Sequence, residues 1–212
     1  MRGLSDCFLY GILDLAYVER ARVREVAESM IAGGVDLIQL RGKDASIGEL
    51  TKLAADLHKI TAPASVPLVV NDHPEIAREV SVESVHVGQD DASIAEVRKA
   101  VNRPVLVGKS THSLEQAVAA RDEGADYIGF GPLYATPTKP DYIPVGLDLI
   151  KQVHQKVGLP IFCIGGIKLH NLPDVLAAGA KRAVIVSGLL QAQDIGGYAR
   201  ACKKLLMSAH SL

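Results

Sequence analysis

The 212-residue chain contains no tryptophan, and aromatic residues make up only 4% of it. Its cysteines number three, an odd count without a CxxC pair, which argues against a disulfide framework or a zinc ribbon. Cys7, Cys163 and Cys202 are therefore expected to be buried, reduced thiols. Neither sign of charge dominates: 23 Lys and Arg stand against 24 Asp and Glu, a formal net charge of -1. With no basic arm or patch in view, nucleic acid is set aside as the main partner. No apolar run approaches the ~20 residues that span a bilayer. The opening Met1-Arg2-Gly3-Leu4-Ser5-Asp6 reaches an acid before any long apolar stretch, unlike a signal peptide. These absences point to a cytoplasmic protein with no membrane partner. With 48% hydrophobic residues and no low-complexity tract, disorder is excluded too.

What is present is alternation. Short β-rich runs at 8–14, 35–41, 67–72, 84–88, 104–110, 126–131, 160–166 and 182–187 are nearly all apolar, as parallel strands covered on both sides require. Helix-like stretches separate them. Val23, Val26, Ala27, Met30 and Ile31 fall on one helical stripe, and Ile47, Leu50, Leu53, Ala54 and Leu57 on another. Ser46–Glu49, Ser93–Glu96 and Ser113–Gln116 each fit a capping box, and Gly33, Gly124 and Gly179 fit left-handed helix stops. Eight strand–helix units in succession, with no spare element, predict an α/β fold: a (β/α)8 TIM barrel, single-domain over residues 1–212.

Active sites of such barrels lie at the carboxyl ends of the strands. The second strand ends Gln39-Leu40-Arg41-Gly42-Lys43. Side chains alternate, so Gln39 and Arg41 share a face while Ile38 and Leu40 face the helices. An unpaired guanidinium has no place in a helix-packing layer, so the shared face is the mouth. Strands three and four end at Asn71-Asp72-His73-Pro74 and Gly88-Gln89-Asp90-Asp91. An acid before a proline is an ordinary helix start, and Asp91 or Ser93 could cap the next helix. Alternatively, Asp72 and Asp91 close adjacent strands and converge on one hard divalent cation. After strand six, Thr136-Pro137-Thr138-Lys139 sets two hydroxyls beside an ammonium, which suits a phosphoryl group. Gly165-Gly166 and Val186-Ser187-Gly188 close strands seven and eight, the usual barrel phosphate site. The seven histidines do not cluster as metal ligands; His112, beside Ser110 and Thr111, is the one placed to reach a substrate. No lysine is read as standing within a strand to form a Schiff base, and no Ser-His-Asp or Cys-His set stands out.

The ordered set Gln39-Leu-Arg-x-Lys43, Asn71-Asp72, His86-Val-Gly-Gln89-x-Asp91, Ser110-Thr-His112, Thr136-Pro-Thr138-Lys139, Gly165-Gly166 and Val186-Ser187 resembles the thiamine phosphate synthase family. The resemblance runs from Tyr10 to the last strand, and it rests on the joint presence of the motifs. It implies a transferase that couples hydroxymethylpyrimidine pyrophosphate to a thiazole phosphate, giving thiamine monophosphate and pyrophosphate with Mg2+ as cofactor. It implies that Gln39, Leu40, Arg41, Gly42, Lys43, Asn71, Ser110 and Lys139 hold the pyrimidine pyrophosphate. Of these, Arg41, Lys43, Ser110 and Lys139 would act in catalysis. It assigns Asp72 and Asp91 to the metal, and Thr136, Pro137, Thr138, Gly166, Val186 and Ser187 to the thiazole phosphate. Its partners would be small phosphorylated substrates, and a homo-oligomer is left open. One departure is Gly188, where the family often carries Ser-Ala rather than Ser-Gly.

Two other readings compete. A thiazole tautomerase of the same superfamily needs no metal and would use His112; it has no need of Gln39, Asp91 or the Thr-x-Thr-Lys loop. A non-catalytic phosphate-binding barrel has no need of both carboxylates and the full cation set.

Overall fold

The computed structural model describes residues 3–136 and 143–210. Eight strands form a closed parallel barrel in chain order. They are β1 (Leu9–Asp14), β2 (Leu37–Arg41), β3 (Leu68–Asn71), β4 (Ser84–Val87), β5 (Leu106–Thr111), β6 (Tyr127–Phe130), β7 (Ile161–Cys163) and β8 (Ala183–Ile185). Around them lie α1 (Val23–Ala32), α2 (Ile47–Thr61), α3 (Pro74–Val80), α4 (Ile94–Val101), α5 (Leu114–Asp122), α6 (Ile150–Val157), α7 (Leu172–Ala177), α8 (Ser187–Leu190) and α9 (Ile195–His210). The expected count of one helix per strand misses α8, a single turn between β8 and the long closing helix. No described helix is long and apolar enough to cross a membrane.

Alternation along each strand sorts two cores. The outer one, between barrel and helices, holds Leu9, Leu13, Ile38, Leu40, Val85 and Val107 among many others. The inner one is small and aromatic: Tyr10, Tyr127 and Phe162 meet edge to face with ring centroids 5.4–6.3 Å apart. Gly108 makes room for this plug, since a side chain there would run into the Tyr127 ring. All three cysteines are buried, and burial pushes the Cys163 and Cys202 thiols up to about 12.

Local signals hold unevenly. Ser93 and Glu96 make the full reciprocal box, but Ser46 and Ser113 supply only their own half. At the third site the Gln116 side chain accepts instead from the His112 amide, at 2.7 Å. Gly124 and Gly179 are left-handed as expected, whereas Gly33 is not: its φ is -80°, and Gly34 takes the left-handed position at +87°. Gly33 is required by packing, because a Cβ there would lie 2.5 Å from that of Ala199 on α9. Lys109, overlooked as a strand lysine, lies within β5. It points outward and pairs with Glu123 at 2.9 Å, away from the mouth.

Candidate active site

The carboxyl ends of the strands open on one cavity, to which β1, β2, β3, β4 and β5 contribute Asp14, Gln39 and Arg41, Asn71, His86, and Ser110. Gln39 and Arg41 do share the inner face. Gln39 Nε2 donates to the Tyr10 hydroxyl at 2.6 Å, and Arg41 forms an ion pair with Asp14. Asp14 is 1% exposed, stands opposite Arg41 in the β1–β2 register, and also accepts from the Ala16 amide. Sequence reasoning missed it. The available signal was phase: Asp14 continues the inward set Tyr10, Ile12 at the end of its strand. Leu40 turns its side chain into the outer core, and a Cβ on Gly42 would press on Leu15 at 2.6 Å. Both residues therefore offer the mouth backbone alone.

Ser110 is rooted in the barrel interior. His86 Nε2 lies 3.0 Å from Ser110 Oγ, and His86 Nδ1 lies 3.3 Å from the Tyr127 hydroxyl. Burial pushes Tyr127 up to about 12, which keeps it a neutral hydrogen-bonding group. Gln89 Nε2 donates to the Ser110 carbonyl. His86 went unread as a mouth residue outside the family motif, though the Ser-Val-His-Val alternation of β4 puts Ser84 and His86 inside. His112 does line the cavity, with its Nδ1 donating to the Gly131 carbonyl.

The two acids left open as helix caps are not caps. The N-cap of α3 is His73 with Pro74 following, and that of α4 is Ser93. Asp72 instead sits in the left-handed region at φ +63°, its side chain accepting from Asn71 Nδ2 and its amide donating to the His86 carbonyl. Asp91 accepts from the Gly88 amide at 2.7 Å. The two carboxyls meet. Burial, then the hydrogen bond and charge of Asp91, raise Asp72 to about 6, while Lys43 and Asn71 pull it down. No group of three or more metal-ligating side chains occurs among the described residues.

Across the cavity, Gly165 (φ +99°) and Gly166 (φ +67°) follow β7, facing Val186, Ser187 and Thr136. Sequence reasoning took the glycines as room for an anion, and the structure adds a nearer cause. The segment after β6 lies directly over them: Leu133 and Tyr134 donate to the carbonyls of Ile164 and Gly165 at 2.8 and 3.1 Å. A Cβ on Gly166 would stand 2.7 Å from that of Tyr134. Pro137, Thr138 and Lys139 lie outside the described residues.

A closed barrel whose mouth cavity joins an oriented guanidinium and a left-handed glycine turn, with a carboxylate pair on the segments after β3 and β4, defines a (β/α)8-barrel enzyme. Residues 9–189 match the family model for thiamine monophosphate synthase, and the chain belongs to that family. A thiamine-phosphate synthase of Halalkalibacterium halodurans is 40% identical over 195 residues, 92% of each chain. One from Chloroflexus aurantiacus is 40% identical over 204 residues, 96% of this chain and 94% of that one. The thiamine phosphate pyrophosphorylase of Pyrococcus furiosus superposes with a TM-score of 0.88 at 26% identity, covering 97% of this chain and 98% of the other.

Proposed function

We propose that this chain is a thiamine phosphate synthase: it joins hydroxymethylpyrimidine pyrophosphate to hydroxyethylthiazole phosphate, releasing pyrophosphate and thiamine monophosphate. The observation that carries the reading is the approach of the Asp72 and Asp91 carboxyls to each other, with neither acid used as a helix cap. Two hard carboxylate donors match a cation that keeps its remaining positions for water and phosphate oxygens, so the pair fits Mg2+. When bound, that ion would neutralise charge on the pyrophosphate oxygens.

In the reaction the bond from the pyrimidine methylene to pyrophosphate breaks, and the leaving group keeps the electron pair. The thiazole nitrogen forms the new carbon–nitrogen bond and needs no base. Stabilising the departing charge is the protein's main task. Arg41, Lys43 and Lys139 supply positive charge there, and Asn71 and Ser110 supply donors. Asp14 fixes the Arg41 fork and cancels part of its charge, which makes Arg41 an oriented donor rather than a bare cation. Gln39 holds the pyrimidine, with Leu40 and Gly42 contributing backbone. Thr136, Pro137, Thr138, Gly166, Val186 and Ser187 take the thiazole phosphate. The low polarity of the inner wall, where Ile12, Ile164 and Val184 line the cavity, suits two flat heterocycles and a dissociative, cation-like pyrimidine state.

The test is incubation with both substrates, with and without Mg2+, while thiamine monophosphate is followed. Metal-dependent product supports the reading. Isomerisation of thiazole phosphate alone, without metal, would replace it with the tautomerase.

A further inference from the structure

We propose that Asn171 is a positioning residue for the turn after β7, setting its phosphate-binding geometry through the Gly166 carbonyl without touching substrate. The inference rests on the reading that this turn holds the thiazole phosphate.

Asn171 occupies the N-cap of α7, the place where an asparagine ordinarily turns its side chain forward onto a helix amide. It makes no such bond. Its side chain reaches backward instead: Nδ2 donates to the Gly166 carbonyl at 3.0 Å, and Oδ1 accepts from the Lys168 amide at 2.7 Å. A backbone N–H can only donate and a carbonyl only accept, so both ends of the side-chain amide are fixed.

Three successive carbonyls of the turn are held in this way. Those of Ile164 and Gly165 take the backbone amides of Leu133 and Tyr134. Such bonds survive any side-chain change. The third, at Gly166, is held by a side chain. In a trans peptide the C=O and N–H point in opposite directions. Drawing the Gly166 oxygen toward Asn171, which does not line the cavity, turns the Ile167 N–H the other way. Gly166 and Ile167 both line the cavity, so the peptide whose oxygen Asn171 holds is part of its wall. Two consecutive glycines with positive φ have many alternative conformations, and the turn needs an external hold to keep this one.

A second tie acts one residue further on. The Tyr198 hydroxyl of α9 accepts from the Leu169 amide at 2.7 Å. It also lies where a Cβ on Gly188 would come within 2.8 Å, so α9 touches both loops of the phosphate end.

The experiment compares calorimetric dissociation constants of Asn171→Ala, Tyr198→Phe, Ser187→Ala and the parent for thiazole phosphate and for the same thiazole alcohol without its phosphate. Thermal unfolding runs alongside to verify the fold. Asn171→Ala is expected to weaken the phosphate about 5- to 10-fold, near the scale of one hydrogen bond, and the alcohol by less than about twofold. Tyr198→Phe is expected to show the same selectivity more weakly, and it carries the test if Asn171→Ala does not fold. Equal losses for both ligands would mark a structural role and overturn the proposal. A parent-like Asn171→Ala with a phosphate-selective Ser187→Ala would overturn it while leaving the phosphate reading standing. No phosphate-selective loss in any variant would remove both.

Discussion

Aspartates and glutamates at the two ends of the barrel live under opposite rules. At the floor, Asp36, Glu83 and Asp126 each stand one residue before an even-numbered strand. Each accepts backbone amides at the start of the preceding odd strand: Phe8 and Leu9 at 2.8 and 3.0 Å, Leu68 at 2.9 Å, and Val107 at 2.6 Å. Each also meets a basic side chain from a helix, namely Lys203, His58 and Arg98. These carboxylates are fully engaged, and they seal strand ends. At the mouth, Asp72 and Asp91 are set against each other, and the left-handed backbone at Asp72 adds to the arrangement. Engaged acids tie strand starts together at one end, while two acids face each other at the other. The first arrangement stabilises each charge, whereas the second raises the Asp72 carboxyl, a cost of the kind that functional sites carry.

The comparison breaks most sharply at Asp36, which is fully buried. Asp36→Ala leaves two amides and the Lys203 ammonium without their acceptor, and is expected to lower stability by about 3 kcal/mol or more. Denaturant unfolding measures this, and turnover per folded molecule should match the parent. At the mouth the pattern inverts. Asp72→Asn and Asp91→Asn are each expected to stay within about 1 kcal/mol of the parent in stability. Their turnover should fall at least ~100-fold, the scale of one lost transition-state stabiliser. Rate against Mg2+ is the check: added metal recovers part of the loss in both Asp variants, by mass action. Lys139→Ala should lose turnover without such rescue. Parent-like rates in the Asp variants would end the metal assignment.

A smaller effect sharpens the contrast between inner and outer faces. Lys109 is 8% exposed in β5, but its partner Glu123 is on the surface. Replacing the ammonium with an apolar chain of similar length removes a desolvated charge and leaves an exposed carboxylate in water. Lys109→Met is expected to change stability by about 1 kcal/mol or less. Turnover should be unchanged, and a large loss would place this lysine in the chemistry.

What was legible in the sequence was the part governed by local pattern. Short, nearly all-apolar runs gave all eight strands, and the phase of Gln39 and Arg41 gave the mouth, because a guanidinium cannot face the helix layer alone. The inward phase of Asp14 was legible but its pairing was not, because its partner is 27 residues away and only the β1–β2 register brings the two together. The identity of the helix caps was equally nonlocal in effect. Asp72 and Asp91 have the right residue type for capping, and only the backbone shows that His73 and Ser93 hold those positions. The Gly165–Gly166 turn was read as a place where small residues let backbone amides approach an anion. Its immediate reason, the chain crossing at 133–135, could not be seen from the turn's own sequence.

The last expected effect is the smallest and concerns pH. Asp72 is raised to about 6 at the mouth, whereas His154 is lowered to about 4 by burial and by the floor cations Lys181, Arg182 and His210. Among the described residues, His154 Nε2 is buried without a hydrogen-bond partner, so charging it carries no compensation from them. Between about pH 6 and 4 the folded state binds more proton at Asp72 than the unfolded chain does, so acid favours folding there. Between about pH 6.5 and 4 the unfolded chain binds more proton at the position of His154, so acid opposes folding. The two slopes oppose each other in the parent. Asp91→Asn removes the neighbouring charge and leaves burial alone to raise Asp72, so the melting temperature should fall more steeply than the parent's on acidification. His154→Gln removes the other slope, and its melting temperature should fall less, or rise. Thermal unfolding of metal-free protein from pH 7 to 4.5, with chelator present, reads both variants against the parent. Parallel curves for all three would mean that neither the opposed acids nor the buried imidazole sets the pH response.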